Sequence, residues 1–172
     1  MIRLRSYRSS CGELLLGDFQ GRLCLCDWRY RRRREAVDRR LQRYLKADFE
    51  TGDSELLQLT IDQLEQYFAG ERQVFTVPLR FAGSEFQQRV WQALVEVPYG
   101  ERVSYLELAK RVGDAKAVRA VAAANGANAL SILVPCHRVV ASDGALTGYA
   151  GGLKAKQYLL QLEQPIRQES LF

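Results

Sequence analysis

The chain's one histidine, His137, directly follows a cysteine in the run Val134-Pro135-Cys136-His137-Arg138-Val139-Val140. The thiolate is the nucleophile rather than the thiol, so a reactive cysteine needs a base or a positive neighbour, and His137 could serve Cys136 in that way. An isolated Cys-His pair is more often a buried strand whose imidazole is satisfied by a carbonyl. The sequence on both sides decides between the two. Three other cysteines, Cys11, Cys24 and Cys26, follow no disulfide framework. Cys24 and Cys26 alternate with Leu23 and Leu25, which predicts one shared strand face and a structural role. Zinc held by Cys11, Cys24 and Cys26 would lack a spare histidine and fits no common spacing. No metal and no cofactor is expected.

The elements that must position this pair divide near Ala82-Gly83, which predicts a domain over 1–82 and another over 83–172. The first reads as a small α+β unit. Glu13–Gly17 and Arg22–Trp28 are paired strands around the turn Asp18-Phe19-Gln20-Gly21. The period then turns helical. Val37, Leu41, Tyr44 and Leu45 mark one helix, and Leu56, Leu57, Leu59, Ile61, Leu64, Tyr67 and Phe68 a second that ends at Gly70. Val74–Leu79 is predicted as a short strand.

The second part is mostly helical. Ser84 with Gln87 is a capping-box signature ahead of a helix burying Phe86, Val90, Trp91, Leu94 and Val95. Ser104 with Glu107 opens Tyr105–Val112 in the same way. After Gly113, Asp114 is expected to cap a third helix from Ala115 to about Asn125, and the pair reads as a helix-turn-helix. Its second helix is nearly all small residues around Arg119, too few polar side chains to read base edges. Either the alanines let the backbone approach a surface with Arg119 as its probe, or they pack helix on helix with Arg119 in an ion pair. Arg138–Val140 and Ala145–Thr147 flank Asp143-Gly144, which predicts a wing-like hairpin. Lys154 to about Gln164 is a last helix with Leu153, Tyr158, Leu159 and Leu162 inward, stopped by Pro165.

Composition sets wide bounds. Hydrophobic residues make up 47% and charged residues 26%, the values of an ordinary globular chain. No run approaches the roughly 20 apolar residues of a membrane span, so no membrane partner is expected. The start Met1-Ile2-Arg3-Leu4-Arg5 is too polar for a signal peptide, and cytoplasm is the expected compartment, with the nucleoid or a nucleus as the working site. A net charge of +5 suits a polyanionic partner. The basic run Arg29, Arg31–Arg34, Arg39, Arg40 and Arg43 reads as a solvated helix face balanced by Glu35 and Asp38, with phosphate contact as the weaker reading.

Pro135-Cys136-His137-Arg138-Val139-Val140 resembles the active-site signature of the O6-alkylguanine-DNA alkyltransferases. Phe86–Trp91, Ser104-Tyr105 with Leu108-Ala109, Lys116–Val121, Asn128 and Thr147–Gly152 follow in that family's order. The similarity spans roughly residues 84 to 163, while 1–80 carry no diagnostic motif. It implies an α+β fold, with a small N-terminal unit of short antiparallel sheet plus helices. A mostly α, winged-helix-like domain with a helix-turn-helix would follow it.

The resemblance also implies roles, residue by residue. Cys136 takes the alkyl group of O6-alkylguanine, and conceivably O4-alkylthymine, in a single-turnover displacement. His137 acts as base through water, Glu163 orients the imidazole, and Asn128 braces the active-site turn. The target base leaves the duplex before it reacts. Arg119 fills its place from the minor groove, with Ala120 beside it against the DNA. Tyr105 presses on a phosphate and donates to the base. Tyr149 walls the pocket, the carbonyls of Cys136 and Val139 accept from the guanine amino group, and the Ala150 amide faces O6. The partner would be alkylated duplex DNA without sequence preference, the protein a monomer.

Three readings compete. A damage sensor that flips the base without transfer would lack the cysteine, and Cys136 is present. A helix-turn-helix regulator would need more base-reading side chains. A cysteine hydrolase would take its base from elsewhere, and the chain has no second histidine.

Overall fold

The computed structural model describes residues 1–164. Three antiparallel strands and one parallel strand form the N-terminal sheet: β1 Ile2–Ser9, β2 Gly12–Phe19, β3 Arg22–Trp28 and β4 Phe49–Thr51, in the order β3-β2-β1-β4. The β2–β3 hairpin forms where turn chemistry places it, with Asp18 Oδ1 accepting from the Gly21 amide at 2.9 Å. Strands β1 and β4 were not legible. β1 is dense in arginine and its outward side chains give no apolar alternation, and β4 spans three residues.

One helix covers each face of the sheet. Helix α1, Arg34–Leu45, lays Val37, Leu41 and Leu45 over one side, and α2, Glu55–Phe68, lays Leu57, Leu64 and Tyr67 over the other. The expected common face of Cys24 and Cys26 does not hold. The β2–β3 register slips between Gly17 and Asp18, so Cys24 joins Leu25 under α1, while Cys26 joins Leu23 on the opposite side. One extra residue in a strand inverts the alternation beyond it.

Val74–Leu79 is extended but is not a strand. Leu79 makes one isolated bridge to Leu23, and Pro78 offers a carbonyl but no N–H to a ladder. The chain then enters α3, Glu85–Val95, through a complete Ser84/Gln87 capping box. The short β5, Val103–Ser104, leads into α4, Tyr105–Val112, through a second complete box at Ser104/Glu107. Each such cap stabilises its helix by about 1 kcal/mol.

Gly113, at φ 102°, turns the chain toward α5, Val118–Gly126. This helix starts three residues later than expected. Asp114 does not cap it, because its carboxylate accepts from the Lys116 amide inside a preceding turn. Helix α6, Leu153–Leu162, also differs from expectation. Leu153 and Tyr158 are exposed, and the inward stripe is Ala155, Lys156, Leu159 and Leu160. A lysine inside the stripe disguised it. The wing is reduced to its turn: Ala141 and Ala145 share one hydrogen bond, and β6, Val139–Val140, pairs in parallel with β5 instead.

At three positions the basic run turns inward, although Arg34 also makes the expected pair with Asp38 at 3.0 Å. Arg31 and Arg34 close on the fully buried Asp27 at 2.8 and 3.0 Å. Arg31 also donates to the carbonyls of Gly126 and Asn128, and Arg40 to those of Ala82 and Ala127. These arginines satisfy carbonyls that the end of α5 leaves unpaired and fasten it to the N-terminal unit. Arg32, Arg33, Arg39 and Arg43 remain exposed.

Candidate active site

The chain reaches Cys136 through a tight, strained turn. Ile132 holds φ 75°, a conformation a β-branched residue adopts at a cost of roughly 1–3 kcal/mol. Two sets of bonds hold it there. Asn128 receives the Leu130 amide on Oδ1 at 2.9 Å and donates Nδ2 to the Val134 carbonyl at 2.8 Å. From the N-terminal unit, Cys26 donates to the Ala129 carbonyl and accepts from the Ser131 amide, so β3 grips the turn by its edge.

Cys136, His137 and Arg138 then form one turn of 3-10 helix, not the extended strand in which neighbours point apart. His137 and Glu163 meet at 2.7 Å between Nε2 and Oε2, joined across 26 positions because α6 ends beside the turn. The carboxylate is fully engaged. Oε2 also accepts from the Tyr67 hydroxyl at 2.5 Å and Arg138 Nη2 at 3.0 Å, and Oε1 from Arg138 Nε at 2.8 Å. Burial alone would raise the Glu163 pKa, but the bonds from His137 and Arg138 outweigh it and bring it to about 2.

That geometry assigns the imidazole tautomer. An ionised carboxylate only accepts, so Nε2 carries the proton and Nδ1 is the bare nitrogen. Nδ1 is buried and has no partner among the described residues. Burial depresses the His137 pKa, with Arg138 and Lys156 opposing its charge as well, so the ring rests neutral. A neutral imidazole, anchored on one side and open on the other, is a base awaiting a proton.

The residue before His137, Cys136, carries a thiol proton. The thiol is 4% exposed, and burial pushes its pKa up to about 11, although Asn128, Lys156 and Arg31 pull it down. Cys24 is pushed up to about 12 by burial, although a backbone hydrogen bond and Arg80 oppose the rise. Cys136 therefore rests as a thiol and needs a base to react. Lys156 is wholly buried, donates Nζ to the Val139 carbonyl at 2.6 Å, and reaches toward Thr147 at 3.4 Å.

The remaining expected site residues fall into two groups. Around the thiol, Tyr149 carries a buried hydroxyl without a partner, beside half-buried Ala150. Val139 is buried, and half-buried Tyr105 bonds its hydroxyl to Thr147 at 2.7 Å. On the outer face of α5 lie Arg119, Ala120 and Ala123, all exposed, while Val121, Ala124 and Asn125 pack inward. No carboxylate of the described residues lies within ion-pair distance of Arg119. The exposed alanines and free arginine thus match the surface-approach reading of this helix rather than the packing one.

Tyr67, Arg138, Lys156 and Asp27 belong to the site and had no assigned part in it. Lys156 shares one helical face with Ala155 and Leu159, a place in which a lysine is not expected. The part of Tyr67 could not be read from the sequence, because it arrives from α2 in the other domain. No three His, Cys, Asp or Glu among the described residues are placed to hold a metal.

Comparison with known proteins agrees along both halves. Residues 85–165 match the family described as 6-O-methylguanine DNA methyltransferase, DNA binding domain, and residues 2–81 match its ribonuclease-like domain. A methylated-DNA–protein-cysteine methyltransferase of Mycobacterium tuberculosis is 54% identical over 104 residues, 60% of this chain and 63% of the relative. A constitutive one of Bacillus subtilis is 55% identical over 103 residues, 59% of this chain and 62% of that protein. The matched stretch thus spans less than two thirds of these relatives. The crystal structure of M. tuberculosis OGT in complex with DNA superposes with a TM-score of 0.82 at 40% identity, over 94% of this chain and 92% of that one.

Proposed function

The chain belongs to the 6-O-methylguanine DNA methyltransferase family, and from that membership we propose that it repairs DNA by moving the alkyl group of O6-alkylguanine onto its own Cys136. One observation carries the reading: a buried thiol beside an imidazole whose Nε2 is fixed on Glu163 and whose Nδ1 is left bare. Because the thiol is buried, a base stacked in a duplex cannot reach it, and the substrate must be flipped out. The exposed face of α5 suits that task. Small side chains allow close approach to a minor groove without sequence preference, Ala120 lies against the strand, and Arg119 enters the gap.

With the base in place, the Cys136 proton passes through a bridging water to His137 Nδ1. The sulfur electron pair forms the S–C bond as the C–O6 bond breaks, and that pair stays with guanine. Tyr105 donates a proton to the departing base, and the imidazolium restores the balance, so the thiol proton ends on guanine. Tyr149 walls the base. The carbonyls of Cys136 and Val139 each already accept one bond, from the Val139 amide and from Lys156, and retain a lone pair for the guanine amino group. The Ala150 amide faces O6. The resulting thioether is a poor leaving group, so each molecule acts once, as a monomer in the cytoplasm.

Titration with increasing duplex O6-methylguanine is expected to saturate at one lesion repaired per chain. Continued turnover would overturn the reading. The rate should also report the base. A depressed His137 pKa keeps the ring neutral below its ordinary value of 6.5, so the acid limb of the rate–pH profile should lie below that value. A limb at or above 6.5 would remove His137 as the neutral base.

A further inference from the structure

The N-terminal unit reaches the active-site loop through one side chain that the mechanism does not use. Trp28 ends β3 and is 4% exposed. Its indole meets the Tyr149 ring edge-on, with centroids 5.9 Å apart at 70°. It also lies flush on two glycines. A Cβ on Gly151 would fall 2.5 Å from Trp28 Cε2, and one on Gly12 would fall 3.0 Å from Cζ3, at a backbone φ of 149°. Neither position tolerates a side chain while the indole is there. The loop that carries Tyr149, Ala150 and Gly151 is thereby backed by a rigid ring from the other domain.

Behind that ring the structure is open. A groove of about 190 Å3, lined by Cys11, Tyr30, Arg31, Trp28, Ala150 and Gly151, lies on the outer side of the wall. Trp28 and the glycine loop line it, while Tyr149, which meets the indole edge-on, does not. The Trp28 indole N–H and the Tyr149 hydroxyl are both buried, so the two rings form one packed wall.

We propose that Trp28 is a specificity-determining residue, the back wall that limits how large an alkyl group Cys136 accepts. The proposal rests on the transfer reaction set out above and names what that site discriminates. A methyl group fits against the wall. A benzyl group needs depth that the indole occupies, and close-packed interiors yield little at such a point. Removing the indole takes away the ring that backs Tyr149 and opens depth toward the outer groove.

The test compares single-turnover rates on duplexes holding O6-methylguanine or O6-benzylguanine, for the wild-type protein, Trp28→Ala and Trp28→Phe. Trp28→Ala is expected to raise the benzyl-to-methyl rate ratio roughly tenfold or more, the scale on which apolar pockets discriminate size. Trp28→Phe should fall between the two. If Trp28→Ala does not fold, Trp28→Leu, which keeps the core filled, must raise the ratio in the same direction. Equal loss of both rates would make Trp28 a structural residue only and overturn the proposal, as would a wild-type protein that takes benzyl as fast as methyl. Failure of the wild-type protein on both duplexes would instead overturn the transfer reaction itself.

Discussion

Glu163→Gln is expected to slow alkyl transfer by at least about a hundredfold and to cost about 3 kcal/mol of folding stability. The carboxylate is 2% exposed and accepts from His137, Tyr67 and Arg138. A neutral amide leaves the Arg138 guanidinium buried without its counter-charge. It also replaces an acceptor-only group with an amide that both donates and accepts, so the imidazole proton is no longer held on Nε2 by necessity. Two readouts separate positioning from mere structure. Glu163 raises the His137 pKa, so its loss should move the acid limb of the rate further down. The wild-type carboxyl is depressed from 4.5 to about 2, so its stabilisation is present above pH 4.5 and lost as pH falls through 2. Chemical denaturation across that range should lose this step in the variant. An unchanged acid limb would return Glu163 to a structural role.

Cys136→Ala should abolish alkyl uptake while leaving affinity for lesion-bearing duplex within a few fold of wild type. The thiol makes the new bond but holds no part of the DNA. In the proposed function contact belongs to the exposed face of α5, whose C-terminal end is fastened by Arg31 and Arg40. The stability cost should be small, about 1 kcal/mol, because only one sulfur leaves the core. Equilibrium binding of the variant to a duplex with O6-methylguanine checks this. Loss of both uptake and binding would mean that the cysteine organises the surface as well as reacting.

What the sequence conveyed follows from which signals are local. Both capping boxes are four-residue patterns, and each formed as read, so α3 and α4 begin where expected. The signature around Cys136 lies within one turn, and Glu163 comes to it because α6 must return to the core. Signals failed where distant chain decided the outcome. The bulge that parts Cys24 from Cys26 is a property of pairing with β2, invisible in β3 alone. Arg31, Arg34 and Arg40 read as a charged helix face because Asp27 gives no sign in the sequence of being buried, and the end of α5 is brought near Arg31 and Arg40 only by the domain contact. Lys156 gave no sign of its role because the carbonyl that satisfies it belongs to Val139, seventeen residues earlier. The 3-10 turn at Cys136 is likewise set by Asn128 and β3 rather than by its own residues.

The most direct measurement is the intact mass of the protein after incubation with duplex DNA carrying O6-methylguanine, with peptide mapping and Cys136→Ala beside it. A gain of one methyl group per chain, located on Cys136 and absent from the variant, is the predicted result. An unchanged mass with the lesion tightly bound would contradict transfer and leave a protein that recognises damage without reversing it. A methyl group found on Cys11, Cys24 or Cys26 would contradict the assignment of the nucleophile.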